Sequence, residues 1–484
     1  MPPGIAAVLF GLGIMGLFWL DRDRDSRTSP ALWIPVAWVF IGASRTISQW
    51  LQVGPVMESP GQYLEGSPLD RLVLTGLLAA GLMVLLARGR RTGTFVQANG
   101  PILAFFFYCA VSVFWSDYPD VAFKRWTKAL GNLVMVLVVL TDPDPSAAVK
   151  RLLARSGFLL IPLSFLLVKY YPDLGRGYTP WIWTPYYVGV ATDKNGLGTV
   201  CLVFGLGSLW RFLETFHSGK RPRMTGPLIA HGAILAMVLW LFGKANSATS
   251  LGCLLTGGIL IALTSRRGFA LRPAAVHILV VGIVSLCVFG LFLDSDSGLA
   301  QAMGRDATLT GRTELWGKLL GMTGDSWFGA GFESFWLGER AVSLWKYHWW
   351  HPNQAHNGYL EVFLNLGGLG VALLSFVMAW GYRNVVGALH RDPELGRLKL
   401  AFFVVALLYN LTEAAFKVMH PVWIIFLLAV TAVPKLPHRD HGRSSSTSTA
   451  PLAPWWVARG PGISSSEVPR SRHVPKASGS SFRR

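Results

Sequence analysis

The residues best suited to chemistry lie in one polar and aromatic stretch, residues 294–361, between apolar segments. Arg312 carries a planar guanidinium that can hold a phosphate or diphosphate through two parallel hydrogen bonds. It could equally contact a lipid headgroup or form a surface salt bridge with Glu314. His356 carries an imidazole that exchanges a proton near neutral pH, so it could act as a general base. It could also be a hydrogen-bonded histidine at the start of the next apolar segment, with Asn357 as a helix cap.

A later acid, Glu413, lies at the end of another apolar segment. An acid in that position is commonly a packing partner, but it could also orient a basic side chain within a cavity. His348, His351 and His356 could be imagined as metal ligands. No cysteine and no close pair of carboxylates accompanies them at the usual ligand spacing, so the sequence predicts no metal site.

The composition indicates how these residues are positioned. Of the 484 residues, 52% are hydrophobic and only 14% are charged. Soluble domains carry roughly 25% charged residues, so a polytopic membrane protein is expected. The net charge of +18 could suggest nucleic acid, but the basic residues fall in short runs between apolar stretches and in the tail. That distribution is typical of membrane-flanking arginines, so we predict membrane lipids as partners and no nucleic acid.

Apolar runs recur between residues 4 and 434 and predict an all-α fold with about 12–13 transmembrane helices. Helices are expected because unpaired backbone groups are not tolerated in lipid. A span needs roughly 20 residues, so the shorter runs must include flanking polar residues or cross obliquely. Residues 1–434 therefore form a predicted membrane domain. Residues 435–484, rich in Ser, Pro and Arg, are predicted to be a disordered basic cytoplasmic tail.

The distribution of Lys and Arg among the short loops predicts the orientation. One alternating set of loops is basic and is expected to face the cytoplasm. The other set includes residues 170–194, 413–420 and the large loop 294–357, which is therefore expected to be periplasmic. Lys124, Arg125 and Lys128 depart from the rule, because they fall in a loop of the outer set.

Three short elements punctuate the large loop. They are Gly-Arg-Thr-Glu-Leu-Trp at 311–316, Trp-Phe-Gly-Ala-Gly-Phe-Glu-Ser-Phe at 327–335, and Ala-His-Asn-Gly-Tyr-Leu-Glu at 355–361. In this order, between membrane spans, they resemble the O-antigen ligase and polysaccharide polymerase superfamily of the bacterial inner membrane. The resemblance covers about residues 190–435. It implies an enzyme that moves a glycan from an undecaprenyl diphosphate carrier to a hydroxyl acceptor, either another glycan or the lipid A-core, with an active site facing the periplasm.

The resemblance also implies roles for individual residues. Arg312 would bind the diphosphate and stabilise its charge as it leaves, and His356 would be the general base, supported by Asn357 and Glu413. Many relatives have a second arginine facing the donor phosphates. Lys244 is the nearest match, and Lys194 lies on the same predicted side. Either lysine could instead be an ordinary interfacial residue. Because the diphosphate already activates the sugar, no nucleotide or other cofactor is expected.

Two alternatives remain open at this stage. A polymerase would use a second lipid-linked glycan as acceptor, and nothing in the sequence separates it from a ligase. A flippase or other transporter of lipid-linked glycans would be expected to carry coupling carboxylates within its spans and a duplicated architecture. The spans are nearly free of acids, and polar residues concentrate in one loop, which favours catalysis.

Overall fold

A computed structural model of the chain describes residues 1–22, 28–53, 66–179, 183–217, 225–266, 272–292, 308–348 and 351–434. Most of these residues are helical. The predicted cytoplasmic tail, 435–484, and the first part of the predicted periplasmic loop, 294–307, lie outside the described residues.

The described helices are numbered in chain order. They are α1 (Pro3–Leu20), α2 (Trp33–Gly42), α3 (Ile47–Trp50), α4 (Pro68–Ala87), α5 (Gly89–Ala98), α6 (Gly100–Val111), α7 (Pro119–Leu140), α8 (Pro145–Tyr170), α9 (Pro172–Gly175), α10 (Lys194–His217), α11 (Thr225–Ala245), α12 (Ala248–Thr264), α13 (Pro273–Phe292), α14 (Thr308–Gly321), α15 (Gly338–Tyr347), α16 (Gly358–Arg391), α17 (Pro393–Thr412) and α18 (Pro421–Val430). Two 3-10 turns, Pro30–Leu32 and Ser112–Trp115, precede α2 and follow α6.

Seven described helices are long and apolar enough to cross a membrane: α1, α4, α8, α10, α11, α16 and α17. The pair formed by Gly89–Ala98 and Gly100–Trp115, bent by 85°, would be an eighth span. Four shorter apolar helices have 10–17 residues. The all-α polytopic prediction is confirmed. Among the described residues, fewer than the expected 12–13 helices reach full span length. Several apolar runs form helices shorter than the roughly 20 residues that a span requires.

Polar contacts define the two ends of this helical bundle. At one end, Lys150 before the apolar part of α8 contacts Glu214 of α10 and Glu394 of α17. At the other end, α10 begins and α17 finishes, and Asn195 meets Glu413 there. The loop 116–128 meets the large loop at this same end, where the Ser116 and Ser334 hydroxyls lie 2.7 Å apart. These contacts place Lys150 at one end of the bundle and Asn195, Glu413 and Ser334 at the other.

The described part of the large loop folds over the start of α16. Helices α14 and α15 enclose a small apolar cluster that is separate from the main core: Leu315, Leu319, Phe335, Leu344, Ala355 and Leu364. A two-stranded antiparallel hairpin, β1 (Arg176–Tyr178) and β2 (Pro185–Tyr187), lies between α9 and α10, with Gly177 opposite Tyr186. These elements give the polar loops a fixed backbone.

Helix α16 is broken at Gly367, which has a φ of 63° inside the helical run. A Cβ atom at this position would lie 2.2 Å from the carbonyl oxygen of Trp327. The break therefore lets the backbone of the large loop approach the helix closely, which only glycine permits.

Gly367→Ala is expected to destabilise the protein by about 1–3 kcal/mol, because it combines left-handed backbone strain with a clash against backbone. Thermal unfolding of the purified protein in detergent would measure the loss. Gly368→Ala is the matched control, because a Cβ there has no neighbour closer than 3.6 Å. Equal unfolding temperatures for the two variants would contradict this account of the break.

Candidate active site

The carboxylate of Glu413, directly after α17, is the centre of a polar cluster. Its Oε1 accepts a hydrogen bond of 3.2 Å from Nδ2 of Asn195 and lies 3.7 Å from Nη2 of Arg312. Its Oε2 lies 3.1 Å from Nδ1 of His356. Glu413 is buried, with 7% of its surface exposed. A buried carboxylate requires such partners, because an unpaired charge in this environment is costly. Four segments distant in the sequence therefore meet at one acid.

His356 is held by the residues on both sides of it. The Ala355 carbonyl accepts a 2.8 Å hydrogen bond from the Trp316 indole, and the Ala355 N–H donates to Glu361 at 2.9 Å. Asn357 caps α16 by accepting from two backbone N–H groups of its first turn. His356 itself has a φ of 50°, a left-handed conformation that is uncommon for residues other than glycine.

Asn357 is a helix cap, and His356 lies against an acid. When a carboxylate accepts from Nδ1–H of a neutral histidine, the lone pair is on Nε2, which can then take a proton. A carboxylate in this position also stabilises the imidazolium that forms. The His356–Glu413 pair therefore has the arrangement of an oriented general base.

Arg312 lies near the start of α14 and is half-buried. Its Nη1 donates a 2.8 Å hydrogen bond to the carbonyl of Thr412, the last residue of α17. The salt bridge with Glu314 that the sequence allowed is absent from the described contacts. Glu314 instead accepts from Lys318 at 2.8 Å, and that ammonium lowers the pKa of the carboxyl. Arg312 is therefore directed toward Glu413 and is not part of the exposed charge pair on α14.

The two lysines proposed as second cations are placed differently. Lys194 is exposed at the start of α10, next to the Asn195 that contacts Glu413. Lys244 is exposed near the end of α11, with Nζ 5.6 Å from the ring centroid of Tyr187 and 5.8 Å from that of Trp240. The structure shows no described hydrogen bond or ion pair between either lysine and the Glu413 cluster.

Lys417 is a cation that the sequence reasoning missed. It follows Glu413 in the segment between α17 and α18, and its Nζ donates a 3.0 Å hydrogen bond to Gln354. It lines the same cleft as Glu413. Its position in the loop 413–420, on the same predicted side as 294–357, was the signal that could have identified it. Asn195 was also missed, because only Lys194 was considered in its segment.

The cleft beside Glu413 has a cavity volume of about 270 Å³. Its walls come from the end of α2, the start of α10, the segment 413–421 and Gln354. His420 also lines it, and its Nδ1 accepts a 3.2 Å hydrogen bond from the Val422 N–H. Burial lowers the pKa of His420 to about 3, and Lys417 adds to this effect. His420 is therefore neutral and weakly basic, whereas His356 lies against the Glu413 carboxylate.

Comparison with known proteins agrees with this arrangement of motifs. Residues 227–375 match the family described as O-antigen ligase. The chain is also similar to the exopolysaccharide production protein ExoQ of Rhizobium meliloti (strain 1021). The identity is 27% over 349 residues, which covers 68% of this chain and 75% of that protein. Both similarities support the resemblance to the O-antigen ligase and polysaccharide polymerase superfamily.

The superfamily expected from the three loop elements is thereby confirmed. The family match includes Lys244, Arg312, His356 and Asn357, but it ends before Glu413 and begins after Lys194. Together with the apolar helices, the two similarities support a multi-pass membrane protein with a function of the ligase or polymerase type in polysaccharide biosynthesis. The superfamily assignment itself gives no role to the individual residues around Glu413.

Proposed function

We propose that this protein is a glycosyltransferase that moves a glycan from a polyprenyl diphosphate carrier to a hydroxyl acceptor. The observation that carries the proposal is the contact of His356 and Arg312 with one buried acid, Glu413. A base and a phosphate-binding cation side by side suit a reaction in which a hydroxyl is deprotonated while a diphosphate leaves. The donor is an undecaprenyl diphosphate-linked oligosaccharide, and the acceptor is a glycan or the lipid A-core.

In the proposed step, an acceptor oxygen forms a bond to the anomeric carbon of the donor sugar. The bond between that carbon and the diphosphate oxygen breaks, and its electron pair leaves with the polyprenyl diphosphate. The acceptor proton passes to Nε2 of His356. Arg312 stabilises the charge on the leaving diphosphate, helped by Lys194, Lys244 or Lys417. No metal ion and no nucleotide takes part.

Glu413 acts through His356, so its charge should affect the rate. Glu413→Gln keeps the shape of the side chain but removes a charge-assisted hydrogen bond, which contributes about 1.5–3 kcal/mol. We expect initial rates of glycan transfer to fall about tenfold or more. Glu339→Gln, at an exposed acid of α15, is the control and should retain the wild-type rate. Equal rates for both variants would show that Glu413 is only a packing partner.

A polymerase is the second candidate, favoured by the similarity to a protein of exopolysaccharide production. Purified protein would be given a synthetic polyprenyl diphosphate glycan with a chelator present. One tube would contain a lipopolysaccharide core and the other a second lipid-linked glycan. Product in the first tube alone identifies a ligase, and lengthened chains in the second identify a polymerase. Product in neither tube would contradict glycosyl transfer.

We further propose that the cleft faces the periplasm from the bacterial inner membrane. The support is the loop charge pattern and the position of all the site residues at one end of the bundle. In intact cells, a cysteine introduced at Lys346 in α15 should react with an impermeant maleimide. A cysteine at His390, at the far end of α16, should react only after the membrane is permeabilised. The reverse pattern would invert the orientation and contradict the periplasmic site.

A further inference from the structure

A second cavity lies between the first turns of α4 and α7, apart from the Glu413 cleft. It has a cavity volume of about 240 Å³ and shares no lining residue with that cleft. Every charged residue that the structure describes in its lining is basic: Arg71, Lys124, Arg125 and Lys128.

One described acid lies beside this group and offsets part of its charge. Asp70 precedes Arg71, but its Oδ1 accepts from the Ser48 N–H at 2.9 Å and its Oδ2 accepts from the Ser48 hydroxyl at 2.6 Å. These hydrogen bonds hold the carboxylate at the start of α3 but do not remove its charge. Four basic residues beside this one acid leave the described lining with an excess of positive charge, which favours an anion.

The remaining lining is largely apolar. Leu74 and Leu78 of α4 and Trp38 of α2 form one wall, and Phe123 of α7 lies opposite with 56% of its surface exposed. Cations beside this apolar wall and the exposed ring of Phe123 suit a ligand with an anionic head and a hydrocarbon tail. A soluble anion would leave the apolar wall without a partner.

The cavity lies at the same end of the bundle as the Glu413 cleft. The ends of α4 and α7 away from the cavity are joined by Arg88 and Asp142, 3.2 Å apart. At the cavity end, Arg125 donates a hydrogen bond to the carbonyl of Glu333 in the large loop. The Glu333 side chain accepts in turn from the N–H of Val418, one residue after Lys417. A short chain of contacts therefore connects the two cavities.

This placement also accounts for the basic residues that break the charge rule. Lys124, Arg125 and Lys128 fall on the side predicted to be poor in Lys and Arg. We propose that they and Arg71 form a binding site for the phosphate or diphosphate head of a membrane lipid, with its hydrocarbon chain along Leu74 and Leu78. The lipid is either a second polyprenyl diphosphate, as a polymerase would need for its acceptor, or an anionic phospholipid. Binding of a second polyprenyl diphosphate rests on the proposed function, whereas binding of an anionic phospholipid does not.

Binding stoichiometry tests the proposal. Purified protein in phosphatidylcholine nanodiscs would be titrated with farnesyl diphosphate, and then with inorganic diphosphate. Wild type should bind two equivalents of farnesyl diphosphate, one at each site. Lys124→Gln/Lys128→Gln should weaken one of the two sites about tenfold or more, because two charge-assisted contacts are lost. Lys124→Arg/Lys128→Arg should bind farnesyl diphosphate at that site about as tightly as wild type does. Lys169→Gln, at the end of α8, should leave the affinity of both sites unchanged.

The variants separate this proposal from the proposed function. Arg312→Ala should abolish binding of farnesyl diphosphate at the Glu413 site and leave binding in the second cavity unchanged. Wild type could bind one equivalent of farnesyl diphosphate that only Lys124→Gln/Lys128→Gln loses. In that case the second cavity is a binding site and the proposed Glu413 site is wrong. Repeating the titration in phosphatidylglycerol nanodiscs identifies the source, since loss of the farnesyl diphosphate site there shows that phospholipid occupies it. Unchanged binding by Lys124→Gln/Lys128→Gln overturns the proposal. Equally tight binding of inorganic diphosphate overturns its lipid part.

Discussion

His356→Ala is expected to lower the rate of glycan transfer by about 10²–10⁴-fold, because it removes general-base assistance at the acceptor oxygen. Donor binding should survive, since Arg312 and the neighbouring lysines are unchanged. Initial rates measured with purified protein, at saturating donor and acceptor, would give the loss directly. The protein should still fold, because the backbone beside His356 is held by Trp316 and Glu361.

His351→Ala is the matched control for this variant. His351 lies in the same loop, has a similar φ of 47°, and stacks on Trp345 at a centroid distance of 4.5 Å. It has no contact with Glu413, so its loss should leave the rate near that of wild type. If His356→Ala transfers glycan as fast as His351→Ala, His356 is structural and the proposed mechanism is wrong, even though the superfamily assignment stands.

Arg312→Ala is expected to lower the rate by about 10²–10³-fold, the loss typical of removing one group that stabilises developing charge. Arg312→Lys keeps the charge but loses the planar pair of donors, so its rate should lie between those of Arg312→Ala and wild type. Both variants should accumulate in the membrane at the wild-type level. Their rates and their apparent donor affinities would be measured in the same purified system.

Arg340→Lys provides the comparison for a structural arginine. Arg340 donates to the Phe335 carbonyl at 3.2 Å and pairs with Asp117, away from Glu413. Its replacement should leave transfer largely intact. Wild-type transfer by both Arg312 variants would mean that Arg312 only caps the end of α17 through the Thr412 carbonyl.

The sequence predicted the fold class and named three of the residues that meet at Glu413, but it did not predict their contacts. Apolar runs are local signals, so the helices could be placed from composition alone. The length of each helix was harder to predict from the sequence. Runs such as the one that contains α18 form short helices because polar caps interrupt them. Here His420 ends the preceding loop and caps α18.

The contacts at Glu413 illustrate what the sequence could not give. Arg312, His356 and Glu413 were all named, because their types suit the chemistry. That they meet depends on the packing of α14, α16 and α17, which no local pattern encodes. Asn195 and Lys417 were missed because neither belongs to a recognised element. Lys244 was selected by position in the resemblance alone, and the structure places it over Tyr187 and Trp240.

The central claim is that the Glu413 cleft breaks a sugar–diphosphate bond. The most direct measurement uses wild-type protein, a donor labelled in both its glycan and its polyprenyl diphosphate, and the acceptor, with no nucleotide present. The account predicts that one free polyprenyl diphosphate appears for each glycan joined to the acceptor. It also predicts that an Arg312→Ala/His356→Ala variant releases almost none. Movement of intact donor across the bilayer, with no free polyprenyl diphosphate, would contradict the account and identify a transporter.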